Sequence, residues 1–143
     1  MKTFLALFLA VFCFTSIHCA YTPDFHDCGD LFHINRVIFE DGVPTAGQNA
    51  TAHICGRPDN YYVFLMKKIY VNAEPLFAYE IAIETRRTDW RTDTCFDIAF
   101  EIPSGVPQKF PVKFSWDGVS APQVGCVLVN LELASSGHKF LNF

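Results

Sequence analysis

The chain of 143 residues is 50% hydrophobic and 15% aromatic but only 18% charged, and its formal net charge is -4. Its hydrophobic content excludes intrinsic disorder, and its length allows one hydrophobic core. With 11 lysines and arginines against 15 acidic residues, the chain has no basic excess that would displace the counterions of a phosphate backbone. We therefore expect no nucleic-acid partner.

Residues 1–20 have the organisation of a secretory signal peptide. A basic residue, Lys2, precedes a continuous apolar run and a short stretch with small residues. The run is too short for a membrane-spanning helix, which needs about 20 apolar residues. We expect cleavage after Cys19 or Ala20, and a soluble protein that is secreted or held in an endomembrane or lysosomal lumen. Residues 21–143 are then expected to form a single domain.

Apolar and polar residues alternate beyond the signal peptide with the period of a β-strand, without a sustained helical period. Seven strand segments are predicted, most of them separated by turns with proline or glycine, and the first three sort less cleanly than the rest: Phe32 to Glu40, Asn49 to Ile54, Tyr61 to Val71, Leu76 to Thr85, Cys95 to Ile102, Phe110 to Trp116 and Cys126 to Leu133. The last four sort most cleanly into one apolar and one polar face, as half-buried antiparallel strands do. The sequence therefore predicts an all-β fold, a two-sheet antiparallel β-sandwich of about seven strands.

Two segments depart from the simple alternation. Tyr61 to Val71 is apolar on both faces, which indicates either a central strand or a strand that faces a partner surface. Thr85 to Thr94 is polar and charged, which predicts a long loop or the end of a hairpin.

Four cysteines lie beyond the signal peptide: Cys28, Cys55, Cys95 and Cys126. An even number in an oxidising compartment predicts two disulfides, and the sequence alone does not separate the three possible pairings. The absence of a Cys-x-x-Cys motif argues against a zinc ribbon or a thioredoxin-type redox pair. The sequon Asn49-Ala50-Thr51 predicts a glycan on Asn49, which requires exposure and which we expect in a loop.

Several stretches resemble the MD-2-related lipid-recognition (ML) family, which includes Niemann-Pick C2-type sterol carriers and phosphatidylglycerol/phosphatidylinositol transfer proteins. They are Asp27-Cys28-Gly29, the strand ending at Glu40, Gly47 to Thr51, Ile102 to Pro107 and Gly125 to Val129. The resemblance implies an immunoglobulin-like β-sandwich that holds a sterol, phospholipid or fatty acyl chain in a cavity between its sheets. The family links its first and last cysteines, so we favour the nested pairing of Cys28 with Cys126 and of Cys55 with Cys95.

The sequence departs from the family at its inner cysteines. Members commonly have an additional short-range disulfide around a Cys-Pro motif, whereas Cys95 is followed by Phe96 and has no nearby partner. The inner disulfide therefore has no counterpart in the resemblance.

A lipid pocket needs apolar walls, because the ligand gains affinity by removing its own surface from water. By position in the family, the residues expected to line it are Phe77, Phe96, Phe100, Ile102, Phe114 and Trp116. The same side chains would equally fill an ordinary core. The alternative function is therefore a secreted β-sandwich with a solid core that acts as a protein-interaction or extracellular structural module.

Other clusters are weaker candidates. Four acidic and histidine residues lie close together around the start of the first predicted strand: His26, Asp27, Asp30 and His33. Their spacing fits no standard zinc or calcium loop, so we do not expect a metal site. The mixed-charge segment contains three arginines: Arg86, Arg87 and Arg91. They would either bind an anionic head group at the rim of a pocket or belong to a solvated loop.

The sequence contains no known catalytic motif. Glu80 and Glu84 share the polar face of one predicted strand, where nothing evident would make one a general acid and the other a general base. We expect neither enzymatic activity nor a cofactor. The favoured function is a secreted, monomeric lipid-binding or lipid-transfer protein that contacts membranes transiently during lipid exchange.

Overall fold

The computed structural model describes residues 19–59, 65–119 and 122–135. Most of the predicted signal peptide, and the first part of the strand predicted from Tyr61, lie outside the described residues. In the part of the chain that is described, no helix has the length and apolarity needed to cross a bilayer.

Eight strands follow one another along the chain: β1 (Asp24–Asp27), β2 (Phe32–Ile38), β3 (Asn49–Pro58), β4 (Leu65–Ala73), β5 (Phe77–Arg87), β6 (Thr94–Glu101), β7 (Lys109–Gly118) and β8 (Gly125–Glu132). The last seven correspond to the seven predicted segments. β1 was not predicted, because its four residues contain a single apolar side chain, Phe25. β5 continues as far as Arg87, so the predicted loop from Thr85 begins later than expected.

The strands form a continuous order, β5-β4-β7-β8-β2-β3-β6, with β1 paired to β8. β2 meets β8 through one residue pair, Phe32 and Gly125, whereas the other neighbours are antiparallel over several residues. At this narrow seam the sheet folds over. The result is a five-stranded layer (β1, β8, β7, β4 and β5) facing a three-stranded layer (β2, β3 and β6), which confirms the predicted two-layer antiparallel sandwich.

Aromatic rings from the two layers meet in the interior. Phe32 of β2 lies 6.3 Å from Trp116 of β7, between ring centroids, and Phe100 of β6 lies 5.6 Å from Phe114 of β7. These strands share no backbone hydrogen bonds, so the contacts are made across the space between the layers. The alternation predicted for β6, β7 and β8 places every second side chain in this interior.

β4 lies between β5 and β7 in the five-stranded layer. Of the two interpretations of this apolar segment, the structure supports the central strand. Its inward side chains include Met66, Ile69 and Val71, each no more than 1% exposed.

Each disulfide lies within one layer. Cys28, which follows β1, is bonded to Cys126 of β8, and Cys55 of β3 is bonded to Cys95 of β6. This is the nested pairing that the sequence favoured. The two layers are therefore joined covalently only through the chain itself, as far as the described residues show.

Candidate functional site

The six side chains predicted to line a pocket all lie between the layers. Their exposed fractions range from 0% to 9%. They come from β5, β6 and β7 and from the residue that follows β6: Phe77, Phe96, Phe100, Ile102, Phe114 and Trp116. The structure thus brings the predicted set together on facing layers.

These side chains contact one another. The Phe100 ring lies 6.3 Å from Phe77 and 5.6 Å from Phe114, and Phe96 lies 5.7 Å from Trp116, between centroids. Five surface depressions among the described residues are lined by other side chains. A guest between the layers must therefore displace aromatic contacts, and the layers must move apart to admit it.

One side of the sandwich is an open edge, defined here as the gap between β5 and β6. These strands end the hydrogen-bonded order and do not pair with each other. The inward row on β5 consists of Phe77, Tyr79, Ile81 and Ile83, of which the last three are only half-buried. Apolar side chains that already face the interior are thus partly accessible from this edge.

Arg86 crosses the open edge at one end. It pairs with Met66 of β4, which points inward at 0% exposure, and directly opposed residues share a face. The guanidinium carbon of Arg86 lies 5.3 Å from the Phe96 centroid, and Nη1 donates a hydrogen bond to the carbonyl oxygen of Cys95. The inward apolar row of β5 is therefore followed, at the exposed rim of the open edge, by a cation.

The interior also contains a polar group without a partner. Trp116 is 0% exposed, and its Nε1 donates no hydrogen bond within the part of the chain that is described. A buried N–H without an acceptor carries a desolvation cost of about 1–3 kcal/mol. Trp116 and Arg86 both contact Phe96, so two side chains with hydrogen-bond donors lie beside that ring.

Two other charged residues of the β5–β6 connection, Asp93 and Arg91, have partners of their own. Asp93 accepts hydrogen bonds from the Arg57 guanidinium and from the Asn35 amide. The Arg57 bond, followed by the Asn35 bond, holds the pKa of Asp93 below its usual value. The Arg91 guanidinium carbon lies 5.3 Å from the Trp90 ring centroid. These contacts agree with the solvated mixed-charge loop that the sequence offered as one interpretation. Arg86 differs, because it contacts Phe96 at the open edge.

Two of the acidic and histidine residues near β1, Asp27 and His33, have structural roles. His33 Nδ1 lies 2.8 Å from one carboxylate oxygen of Asp27. The other oxygen accepts from the backbone N–H of Gly29 and of Ile34, at 3.2 Å each. Asp27 therefore stabilises the conformation of the segment that connects β1 to β2.

A different group of possible metal ligands occurs within the described residues: His53, Cys55 and Cys95. Both sulfurs are in a disulfide, so they offer no thiolate to a metal ion.

No protein-family model matches the sequence, and no curated protein matches it. Among solved structures, one that matches is a Niemann-Pick type C2 protein from the Japanese carpenter ant. The match has a TM-score of 0.57 at 8% sequence identity and covers 78% of this chain and 99% of that one. This chain has the fold of a Niemann-Pick type C2 protein. The fold implied by the ML resemblance is thereby confirmed, and at this identity the likeness concerns the fold alone.

Two features of this Niemann-Pick C2 fold were not predicted. The reach of Arg86 across the open edge to Phe96 depends on a register shift between β4 and β5 near Met66 and Lys68, and no residue type signals such a shift. The isolated Nε1 of Trp116 depends on which groups surround the ring. Trp116 itself was assigned to the interior by alternation.

Proposed function

We propose that this protein is a secreted lipid-binding or lipid-transfer protein, and that it holds a sterol, phospholipid or fatty acid between its layers. The observation that carries the proposal is the Trp116 Nε1–H inside an aromatic interior, which has no acceptor among the described residues. A buried donor without a protein partner is accounted for by a ligand oxygen that accepts its hydrogen bond. The Niemann-Pick C2 fold and the ML resemblance support this function.

The two donors beside Phe96, on Trp116 and Arg86, orient the ligand. Its oxygen-bearing head lies near Trp116 Nε1 and the Arg86 guanidinium. Its apolar tail extends along the inward face toward Phe100 and Phe77, where it is removed from water. A cation at the head favours a carboxylate or phosphate over a neutral group, because charge-assisted hydrogen bonds are the stronger ones.

The ligand enters through the open edge between β5 and β6. Separating these strands breaks no backbone hydrogen bond between them. The half-buried row at Tyr79, Ile81 and Ile83 offers the entering tail an apolar surface. Arg86 must release the Cys95 carbonyl for entry and is then free to bind the head group. The role proposed is binding and not catalysis.

One end of the sandwich suits contact with a bilayer during lipid exchange. Leu65 and Val119 are 46% and 51% exposed, and the Val119 N–H donates to the Leu65 carbonyl at 2.8 Å. Arg87 pairs with Leu65 across β4 and β5. Exposed apolar side chains beside a cation match the interface of an anionic membrane. Replacing Leu65 and Val119 by serine should slow transfer of a fluorescent fatty acid between anionic vesicles.

The primary test is native mass spectrometry of the protein purified from a eukaryotic secretion medium, with solvent extraction of bound lipid. We expect a co-purified lipid, or binding of an 18-carbon fatty acid at micromolar concentration. Trp116→Phe keeps an aromatic ring but removes the donor, so it should weaken fatty-acid binding about tenfold, equivalent to about 1.4 kcal/mol. The absence of both co-purified and added lipid would overturn the proposal in favour of the solid-core module.

The head-group assignment has a separate test. Arg86→Gln should remove the preference for the fatty acid over its methyl ester, because the ester has no charge to pair with. Arg87→Gln makes the same change in net charge at the next position of β5 and should retain the preference. If both variants lose it equally, the head does not lie at Arg86.

A further inference from the structure

The disulfide between Cys55 and Cys95 lies on the outer face of the three-stranded layer. The two cysteines oppose each other across β3 and β6. Their chain neighbours Ile54 and Phe96 point into the interior, and successive strand residues point to opposite faces. Cys95 is accordingly partly exposed, yet Cys55 is 0% exposed. The side chains that cover Cys55 therefore determine the chemical environment of its sulfur.

One of them is Arg36 of β2. A register shift between Ile34 and Arg36 places Arg36 opposite Cys55, and such bulges redirect side chains. Its Nη2 lies 3.1 Å from the Cys55 sulfur and 3.8 Å from the Cys95 sulfur. A guanidinium at this distance stabilises a thiolate on Cys55.

The second is His53, two residues from Cys55 on the same face of β3. Its Nε2 lies 3.3 Å from the Cys55 sulfur, and its Nδ1 lies 2.7 Å from the Asp97 carboxylate. A carboxylate only accepts hydrogen bonds, so Nδ1 carries a hydrogen and the ring is held with Nε2 toward the sulfur. When Nε2 is protonated as well, it donates to that sulfur.

We propose that this disulfide is a site of thiol–disulfide exchange with small thiols. The thiolate of the small molecule attacks the accessible sulfur of Cys95 and forms a new sulfur–sulfur bond. The Cys55–Cys95 bond breaks, and its electron pair leaves on Cys55 as a thiolate beside Arg36 and His53. A stabilised leaving thiolate departs faster. A second small thiolate then releases Cys95 as a thiolate and leaves as a symmetrical disulfide.

The exchange site is independent of lipid binding. Its groups lie on the outer face of the three-stranded layer, and the lipid is assigned to the interior. The chemistry is carried by residues of three strands: Arg36 on β2, His53 and Cys55 on β3, and Cys95 and Asp97 on β6.

The test uses the native full-length protein and reduced glutathione. After acid quenching, free thiols are alkylated and the peptides are mapped by mass spectrometry. We expect glutathione on Cys95 and the alkyl group on Cys55, without denaturant. Glutathione on Cys55, or exchange only in denaturant, would overturn the proposal, and this result requires no variant.

Variants test the role of the covering groups. Arg36→Gln and His53→Gln should each slow formation of the Cys95 adduct about tenfold. The matched controls are Arg57→Gln, whose cation contacts Asp93, and His33→Gln, whose ring pairs with Asp27. Both controls should exchange at the wild-type rate. Equal rates in all four variants would show that the covering groups do not act on the leaving sulfur.

Discussion

Arg86 of β5 and Phe96 of β6 face each other across the open edge, where the described parts of the two layers share no strand pairing. The guanidinium carbon lies 5.3 Å from the ring centroid, and the same side chain holds the carbonyl of Cys95. If this contact closes the open edge, Arg86→Ala should speed uptake of a fluorescent fatty acid in stopped-flow measurements. Arg87→Ala, at the neighbouring position, should leave the rate unchanged. A slower rate in Arg86→Ala would mean that the cation attracts ligand rather than closing the edge.

Truncation of the interior rings should cost more stability than truncation at the surface. Phe100 is 5% exposed and contacts rings from both layers, so Phe100→Ala should lower the free energy of unfolding by about 3–5 kcal/mol. Leu128→Ala removes an apolar side chain that is 37% exposed on β8, and should cost about 0.5 kcal/mol or less. Urea unfolding followed by tryptophan fluorescence measures both. Similar losses for the two variants would contradict the assignment of Phe100 to the core.

Asn49 is expected to carry a glycan. The residue opens β3 rather than lying in the predicted loop, but both Asn49 and Thr51 are exposed. Protein secreted from eukaryotic cells should lose the mass of one glycan on treatment with an amide-cleaving glycosidase. Asn49→Gln and Thr51→Ala should each show the lower mass without treatment, because the sequon needs both residues. An unchanged mass in Asn49→Gln would place any glycan elsewhere.

Asp93 should contribute to stability in a pH-dependent way. The Arg57 guanidinium lowers the pKa of Asp93, so folding is favoured while the carboxylate is charged. This contribution is complete above the ordinary aspartate pKa of about 3.9 and is lost as the pH falls through the lowered value. Asp93→Asn and Arg57→Gln should both flatten the decline of the urea midpoint below about pH 4. Glu101→Gln, a change at an exposed carboxylate at the end of β6, serves as the control and should retain the wild-type slope.

The strands were predictable because their environment is simple. A half-buried antiparallel strand repeats every two residues, so Phe96, Ile98 and Phe100 were assigned to the interior from sequence alone. β1 follows no such rule, since it is short and held by pairing with β8. The sequence therefore predicts a strand where one of its faces has to be apolar.

The polar parts of the site were not predictable for a different reason. Arg36 and Arg86 owe their positions to register shifts in β2 and between β4 and β5, and a shift depends on the partner strand as well as on local residue types. The sequence placed Arg86 in a mixed-charge segment but did not distinguish it from Arg87. Both arginines are exposed, and which of them reaches across the open edge to Phe96 is decided by tertiary pairing.

The position of the two disulfides has a mechanical consequence. Cys28–Cys126 stiffens the five-stranded layer, and Cys55–Cys95 stiffens the three-stranded layer, while neither bond crosses the interior. The layers therefore resemble two plates hinged along the edge where they remain joined, at the Phe32–Gly125 pair and at the Tyr21–Phe39 bridge. Such an assembly can change its internal volume by rotating about the hinge, without stretching any covalent cross-link or disturbing the shape of either plate.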